Sequence, residues 1–407
     1  MIAVFPFSLP TPTATYLVLY IATMAAHVAL MSYVLAGSGL VVVQAMRGRV
    51  HDGPAAEVAG VLRDWLPFAL GAAITAGVAP LLFVQVLYQE SFYSANLLLF
   101  HRWMAVVPVL MLGFYLLYLN KSPLAARWSK AAQVGIAGAA FACFAFTGYS
   151  WIENHLLALD RQAWPGMYAA GEMVYLRAQS GPRALFWLAL AVPLTVTILA
   201  WQMRGNRAAA AQPDGGEDGD GGETAVAGES TASAALARYL ALVALVGVGV
   251  SVAAGVFYAY AVGRHALDTG AGLTGYRWAL VIGGLVQAGA WAYILRVRRF
   301  DLRAMWTVTL AAVVTVVAVL ALRESMRVAA MDIERVSVAH QRAAQADGMP
   351  LFVVFAVLAI GVMAWCFRMT RRSLASSEVA SESDDATRQD GRRDRDDDGS
   401  GDAARRE

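Results

Sequence analysis

The sequence predicts an all-α fold: a polytopic membrane helix bundle of nine spans, with its N-terminus outside and its C-terminus cytoplasmic. Three observations carry that prediction. Of 407 residues, 58% are hydrophobic and only 15% are charged, whereas soluble domains carry about a quarter charged residues. Nine apolar stretches reach the ~20 residues that a helix needs to cross a bilayer. Basic residues gather in alternate short connections, which sets the orientation by the positive-inside rule.

The stretches run over 15–46, 66–88, 94–120, 130–152, 183–203, 234–263, 276–297, 303–323 and 350–370. The first, third and sixth exceed the bilayer thickness, so tilt or protrusion is expected. Tyr16, Trp65, Trp103, Tyr118, Trp151, Trp187, Trp201 and Trp278 stand near span ends, as an interfacial aromatic belt does. Arg47, Arg49, Arg63, Lys121, Arg127, Lys130, Arg204, Arg207, Arg296, Arg298, Arg299, Arg303, Arg368, Arg371 and Arg372 mark one side. The other side carries fewer, although Arg323, Arg327, Arg335 and Arg342 weaken the contrast. Residues 1–15 are Pro-rich and have no basic n-region, so the first stretch reads as a retained helix rather than a cleaved signal. The expected location is the inner (cytoplasmic) membrane, as a multi-pass protein.

Two tracts read as lying outside the bundle. Residues 206–233 are rich in Gly, Ala, Asp and Glu, the composition of a flexible linker. Residues 373–407 alternate acidic and basic runs and read as a disordered charged tail. The expected organisation is therefore a five-helix unit (1–205), a linker (206–233), a four-helix unit (234–372) and the tail. Cys143 and Cys366 both sit in apolar stretches, and C-x-x-C-H is absent. That excludes c-type haem attachment, and no cysteine spacing fits zinc or an iron–sulfur cluster. No nucleic-acid partner is expected.

His27 is the most informative residue. An ionisable side chain within a span faces a partner, a cavity or a metal. On a helix it shares a stripe with Tyr20, Thr23, Met31, Val34 and Ser38. A neutral imidazole at that depth suits a haem iron; packing against a neighbouring helix is the plainer alternative. In the second span Gly71, Thr75 and Ala79 recur every four residues, a small face suited to close helix approach or to a planar cofactor. Pro80 invites a kink beyond them. His101, followed by Arg102 and Trp103, opens the next span near the outer interface. With His27 it defines a candidate bis-histidine pair for one low-spin haem b. Arg323 and Arg327 lie one turn apart and suit carboxylates such as propionates, or simply snorkel. Arg102 is a third candidate at the same rim. His51, His155, His265 and His340 read as solvated surface residues.

Several of these segments, in this order, resemble subunit I of the cytochrome bd quinol oxidases. Residues Tyr20 to His27 look like that family's opening helix, whose histidine ligates a haem. Residues Pro67 to Gly71, Gly77-Val78 and Gln85 are similar to its F-A-x-G-V-x-x-G…F-Q-F-G stretch, and Phe92-Tyr93-Ser94 matches its aromatic-Tyr-Ser. Gly148 to Asn154 and Trp164-Pro165-Gly166-Met167 resemble its polar outer segment. The likeness covers roughly the first 170 residues; beyond them only the topology matches. Departures are as informative. His101 stands where the family has a glutamate, and a second glutamate is replaced near Val109. The fifth span has no histidine, and the outer connections are too short for a quinol-binding insertion.

The resemblance and the histidines together imply a non-oxidase relative: a membrane b-type cytochrome carrying electrons through one haem near the outer face. Its expected partner is a separate c-type cytochrome or other respiratory subunit, with quinone a further candidate. A complete terminal oxidase is not expected, since ligands for only one haem are in view. The alternatives are a haem-free membrane anchor and, ranking last, a transporter, which calls for discontinuous helices and paired intramembrane charges in repeated halves.

Overall fold

The computed structural model describes residues 5–7, 9–48, 53–210, 222–262, 274–331, 338, 350 and 352–372. Among them the regular structure is entirely helical, and nine helices are long and apolar enough to cross a membrane. In chain order the helices are α1 (Thr11–Arg47), α2 (Pro54–Leu87), α3 (Gln89–Leu98), α4 (Phe100–Lys121), α5 (Pro123–Ala126) and α6 (Lys130–Leu159). They continue with α7 (Ala163–Ala170), α8 (Ser180–Ala210), α9 (Gly222–Val262), α10 (Thr274–Val297), α11 (Leu302–Ala330) and α12 (Phe352–Arg372). The chain divides into two compact units, Met1–Ala346 and Asp347–Glu407. In the second, α12 is a single apolar helix without a buried residue.

Local chemistry sets the helix ends. Proline occupies the first turn of α1, α2 and α5, where its missing N–H costs nothing. Ser122, Ser129 and Asp301 cap α5, α6 and α11 by accepting the N–H of Ala125, Ala132 and Ala304. The chain leaves α7 through Gly171, whose φ of +63° few other residues adopt readily.

In the first unit α1 is the central helix, packing against α2, α6, α8 and α11. Its Leu17 and Tyr20 are fully buried. Polar side chains tie the spans together where lipid offers no other partner. Tyr33 donates to Gln202 of α8 (2.8 Å), Trp201 of α8 to Thr309 of α11 (2.9 Å), and Gln287 of α10 to Thr315 of α11 (2.9 Å). Helices on both sides of the 206–233 tract pack together, with Gly247 of α9 lying directly on Val192 of α8. Helix α8 runs to Ala210 and α9 begins at Gly222, so both enter the tract read as a linker. Its central residues 211–221 lie outside the described residues, as do the 373–407 tail, His51, His265 and His340.

Two expectations about small features change. The fourth span does not stop at 152; α6 continues to Leu159 and carries His155 into the protein. The close face of α2 is not Gly71, Thr75 and Ala79. Gly71 and Thr75 are exposed, and a Cβ at Gly71 would meet nothing within 4 Å. Ala69, Ala73 and Gly77 form the close face instead, also spaced by four and about 200° around the helix.

Candidate functional site

A cavity of about 720 Å³ lies among α1, α2, α4, α6, α8 and α11, within the range of small-molecule and cofactor sites. Its wall is mostly apolar, including Met24, Val28 and Met31 of α1, Leu70 and Leu81 of α2, Val106 and Leu110 of α4, and Phe144 of α6. The polar exceptions define it: His27, Thr147, Tyr149, His155, Arg183 and Arg323.

His27 is held from behind. Its Nδ1 lies 3.0 Å from the carbonyl oxygen of Ala73. A carbonyl only accepts, so Nδ1 carries the proton and Nε2 keeps its lone pair. The ring fits because residue 77 is glycine; a Cβ there would come within 2.9 Å of its Cε1. The Nε2 lone pair has no partner among the described residues, and the ring lines the cavity.

The other end of the site is basic. Tyr20 is seven residues before His27, about 10 Å along the helix axis, and its hydroxyl accepts from Arg323 at 3.0 Å. Arg327, 5% exposed, donates to Glu324 (3.1 Å), lies over the Tyr88 ring (4.6 Å) and donates to His155 Nδ1. Glu324, fully buried, also accepts from the Tyr88 hydroxyl at 3.1 Å. Arg323 approaches Glu324 Oε1 at 3.4 Å as an ion pair without an aligned hydrogen bond. Because guanidinium groups only donate, His155 Nδ1 is the acceptor and its Nε2 bears the hydrogen.

A second polar group roofs this end. Glu153 accepts the backbone N–H of Tyr175 (2.6 Å), and Arg102 Nε lies 2.9 Å from its Oε2, again an ion pair rather than an aligned hydrogen bond. Tyr175 donates to Asp160 (2.6 Å) and accepts from Arg177 (2.8 Å), which also pairs with Asp160. This fastens the 171–179 connection over a small apolar cluster of Ala95, Leu99, Leu157 and Met167.

The sequence candidates therefore separate. His27 and Arg323 face the cavity. Arg327 is buried behind it, engaged by Glu324 and His155, and Arg102 is taken by Glu153. His101 is exposed, set edge-on to Phe100 and not part of the cavity wall. The structure does not bring His101 to His27, because His101 sits on the outward face of the first turn of α4. Met104, one turn on, is exposed too. His155, read as a surface residue, is buried. Arg183 was not singled out at all, although it is 6% exposed and lines the cavity. A signal for His155 exists: no Gly or Pro interrupts residues 149–160, so the helix carrying Trp151 continues through it. Arg183 follows Gly181-Pro182 at a span start, which looks interfacial, and nothing local marks it as inward. Among the described residues no group of three or more His, Cys, Asp or Glu converges on one point.

Comparison of the chain with protein families, curated proteins and solved structures gives no match.

Proposed function

We propose that this chain is a haem b-binding subunit of a membrane electron-transfer assembly, with His27 as an iron ligand. The observation that carries the reading is the His27 tautomer: Nδ1 is committed to Ala73, which leaves the Nε2 lone pair on a ring that lines a mostly apolar cavity of cofactor size. A backbone carbonyl behind a metal-ligating histidine fixes the ring and raises its basicity. The residues present also fit the acidic edge of such a group, since Arg183 and Arg323 lie at the basic end of the same cavity. The likeness of Tyr20 to His27 to the opening helix of bd-type subunit I supports the same assignment.

When bound, a haem supplies one-electron redox chemistry. The chain's own contribution is to orient the imidazole, keep water from the apolar wall and place positive charge at one end. Its redox partner is a separate c-type cytochrome or another respiratory subunit, with quinone the alternative.

Purified protein tests this directly. A dithionite-reduced spectrum with a b-type band, lost in His27→Ala and retained in His101→Ala, is the expected result. A featureless visible spectrum after haem reconstitution would remove the reading and leave a haem-free membrane anchor.

A further inference from the structure

We infer that the basic end of the cavity is a binding site for the carboxylates of a lipophilic acid, with Arg183 and Arg323 as the cations and His155 Nε2–H as a neutral donor. Assigning those carboxylates to a porphyrin rests on the haem reading; the carboxylate site itself does not.

The first argument is charge. Among the described residues, Arg323 and Arg327 share a single carboxylate, Glu324, and Arg183 lines the same cavity as Arg323. Two positive charges are left over. They are not spread evenly. Arg327 has Glu324, His155 and the Tyr88 ring, whereas the Arg183 guanidinium makes no hydrogen bond or ion pair among the described residues and only faces the Tyr258 ring at 5.8 Å. A buried guanidinium without an anion is costly, and this one borders empty space rather than packed side chains.

The second argument is the donor pattern. Arg323 is held in place by Tyr20 and by Glu324, and His155 is held in its Nε2–H form by Arg327. The result is two planar guanidinium groups and an imidazole N–H on one cavity. Guanidinium groups pair with carboxylates through parallel hydrogen bonds. Arg327 is then a positioning residue that acts through His155.

The third argument is the rest of the wall. It is mostly apolar, and three of its residues, Ile74 and Val78 of α2 and Leu185 of α8, are exposed, so the cavity is open on that side. In a bilayer that opening faces hydrocarbon, so the ligand body is apolar and enters sideways. Two unpaired positive charges favour a diacid such as a porphyrin with two propionates; a bilayer fatty acid supplies the same group once.

The experiment uses full-length protein in nanodiscs and compares haemin with haemin dimethyl ester, which keeps ring and iron and blocks both carboxylates. Wild type should bind the diacid about tenfold or more tightly than the diester. Arg183→Gln should erase that preference while excess haemin still gives the His27-dependent spectrum. Equal affinity of wild type for the two forms, or an undiminished preference in Arg183→Gln, overturns the inference and leaves the haem reading standing. The wild-type comparison needs no variant, so a misfolded Arg183→Gln does not blunt it. If neither porphyrin binds, the haem reading fails and cis-parinaric acid decides the site. Fluorescence enhancement with the acid but not its methyl ester supports a fatty-acid carboxylate there. Equal response to acid and ester, or no response to either, overturns it.

Discussion

Gly77 and Glu324 show how single positions hold this site. A methyl group at residue 77 would contact the His27 ring at 2.9 Å, and the ring cannot retreat without breaking its hydrogen bond to Ala73. Gly77→Ala should therefore abolish or shift the visible spectrum of the reconstituted protein and destabilise it by about 1–3 kcal/mol, the usual cost of overpacking. Gly71→Ala is the control: it meets nothing within 4 Å and should be neutral or slightly stabilising in a helix. Equal spectra for the two variants would show that His27 does not depend on that groove. Glu324 is a different kind of position. It is the carboxylate on which Tyr88, Arg323 and Arg327 converge, so Glu324→Gln strands two guanidinium groups in a buried setting. Losing one partner of a buried ion pair costs about 3–5 kcal/mol. A melting temperature of purified Glu324→Gln within a degree of wild type would contradict this accounting.

At the scale of elements, the spans were legible and their faces were not. Length and hydropathy fix where a helix lies, and α1 lies where its apolar stretch predicted it, whereas α2 begins earlier than its stretch, at Pro54, and α11 runs past its own to Ala330. The inward side of a membrane helix is harder to read, because lipid and protein interior are equally apolar. That is why two small-residue faces of α2, offset by two residues, both satisfied the spacing rule. It is also why His27 could be read as inward, being costly elsewhere, while Arg183 could pass for an interfacial residue. His155 was missed because the α6 boundary was set too early. The connection after α7 offers a pH test outside the spans. The hydrogen bond from Tyr175, reinforced by Arg177, holds the Asp160 carboxyl below its usual range, against the opposing effect of burial. Burial and the Asp160 contact push the Tyr175 phenol to about 12, so of this hydrogen-bonded pair only Asp160 titrates at acid pH. A depressed folded-state pKa means that the contribution is complete above the unfolded carboxylate value of ~3.9 and is lost as pH falls through the lower folded value. Hydrogen exchange over 171–179 should accelerate as pH drops below about 4, beyond the intrinsic rate change. Asp160→Asn should exchange quickly at neutral pH and show no such step; an unchanged rate in that variant would mean the contact does not fasten the connection.

Across the whole molecule, two of the arginines that blurred the positive-inside reading, Arg323 and Arg327, fall into place, while Arg335 and Arg342 lie outside the described residues. Arg102, Arg183, Arg323 and Arg327 lie within helices, not in free connections, and three of them pair with Glu153 or Glu324. Arg161 pairs with Glu90 and Arg177 with Asp160. They are bundle chemistry rather than topogenic loop charge. At the opposite ends of the same helices stand Arg47, Lys121, Arg127, Lys130 and Arg204, flanking short connections where such residues set orientation. The cavity's basic end should then face outward, the side on which a soluble c-type cytochrome could meet it. Impermeant maleimide labelling on intact cells tests this. With Cys143 and Cys366 replaced by Ala, Glu172→Cys, exposed beyond α7, should label at once. Arg127→Cys, exposed after α5, should label only after permeabilisation. The reverse pattern would invert the molecule and put the basic end of the cavity against the cytoplasm, which would rule out an external electron carrier as the partner and leave a cytoplasmic donor or a quinone in its place.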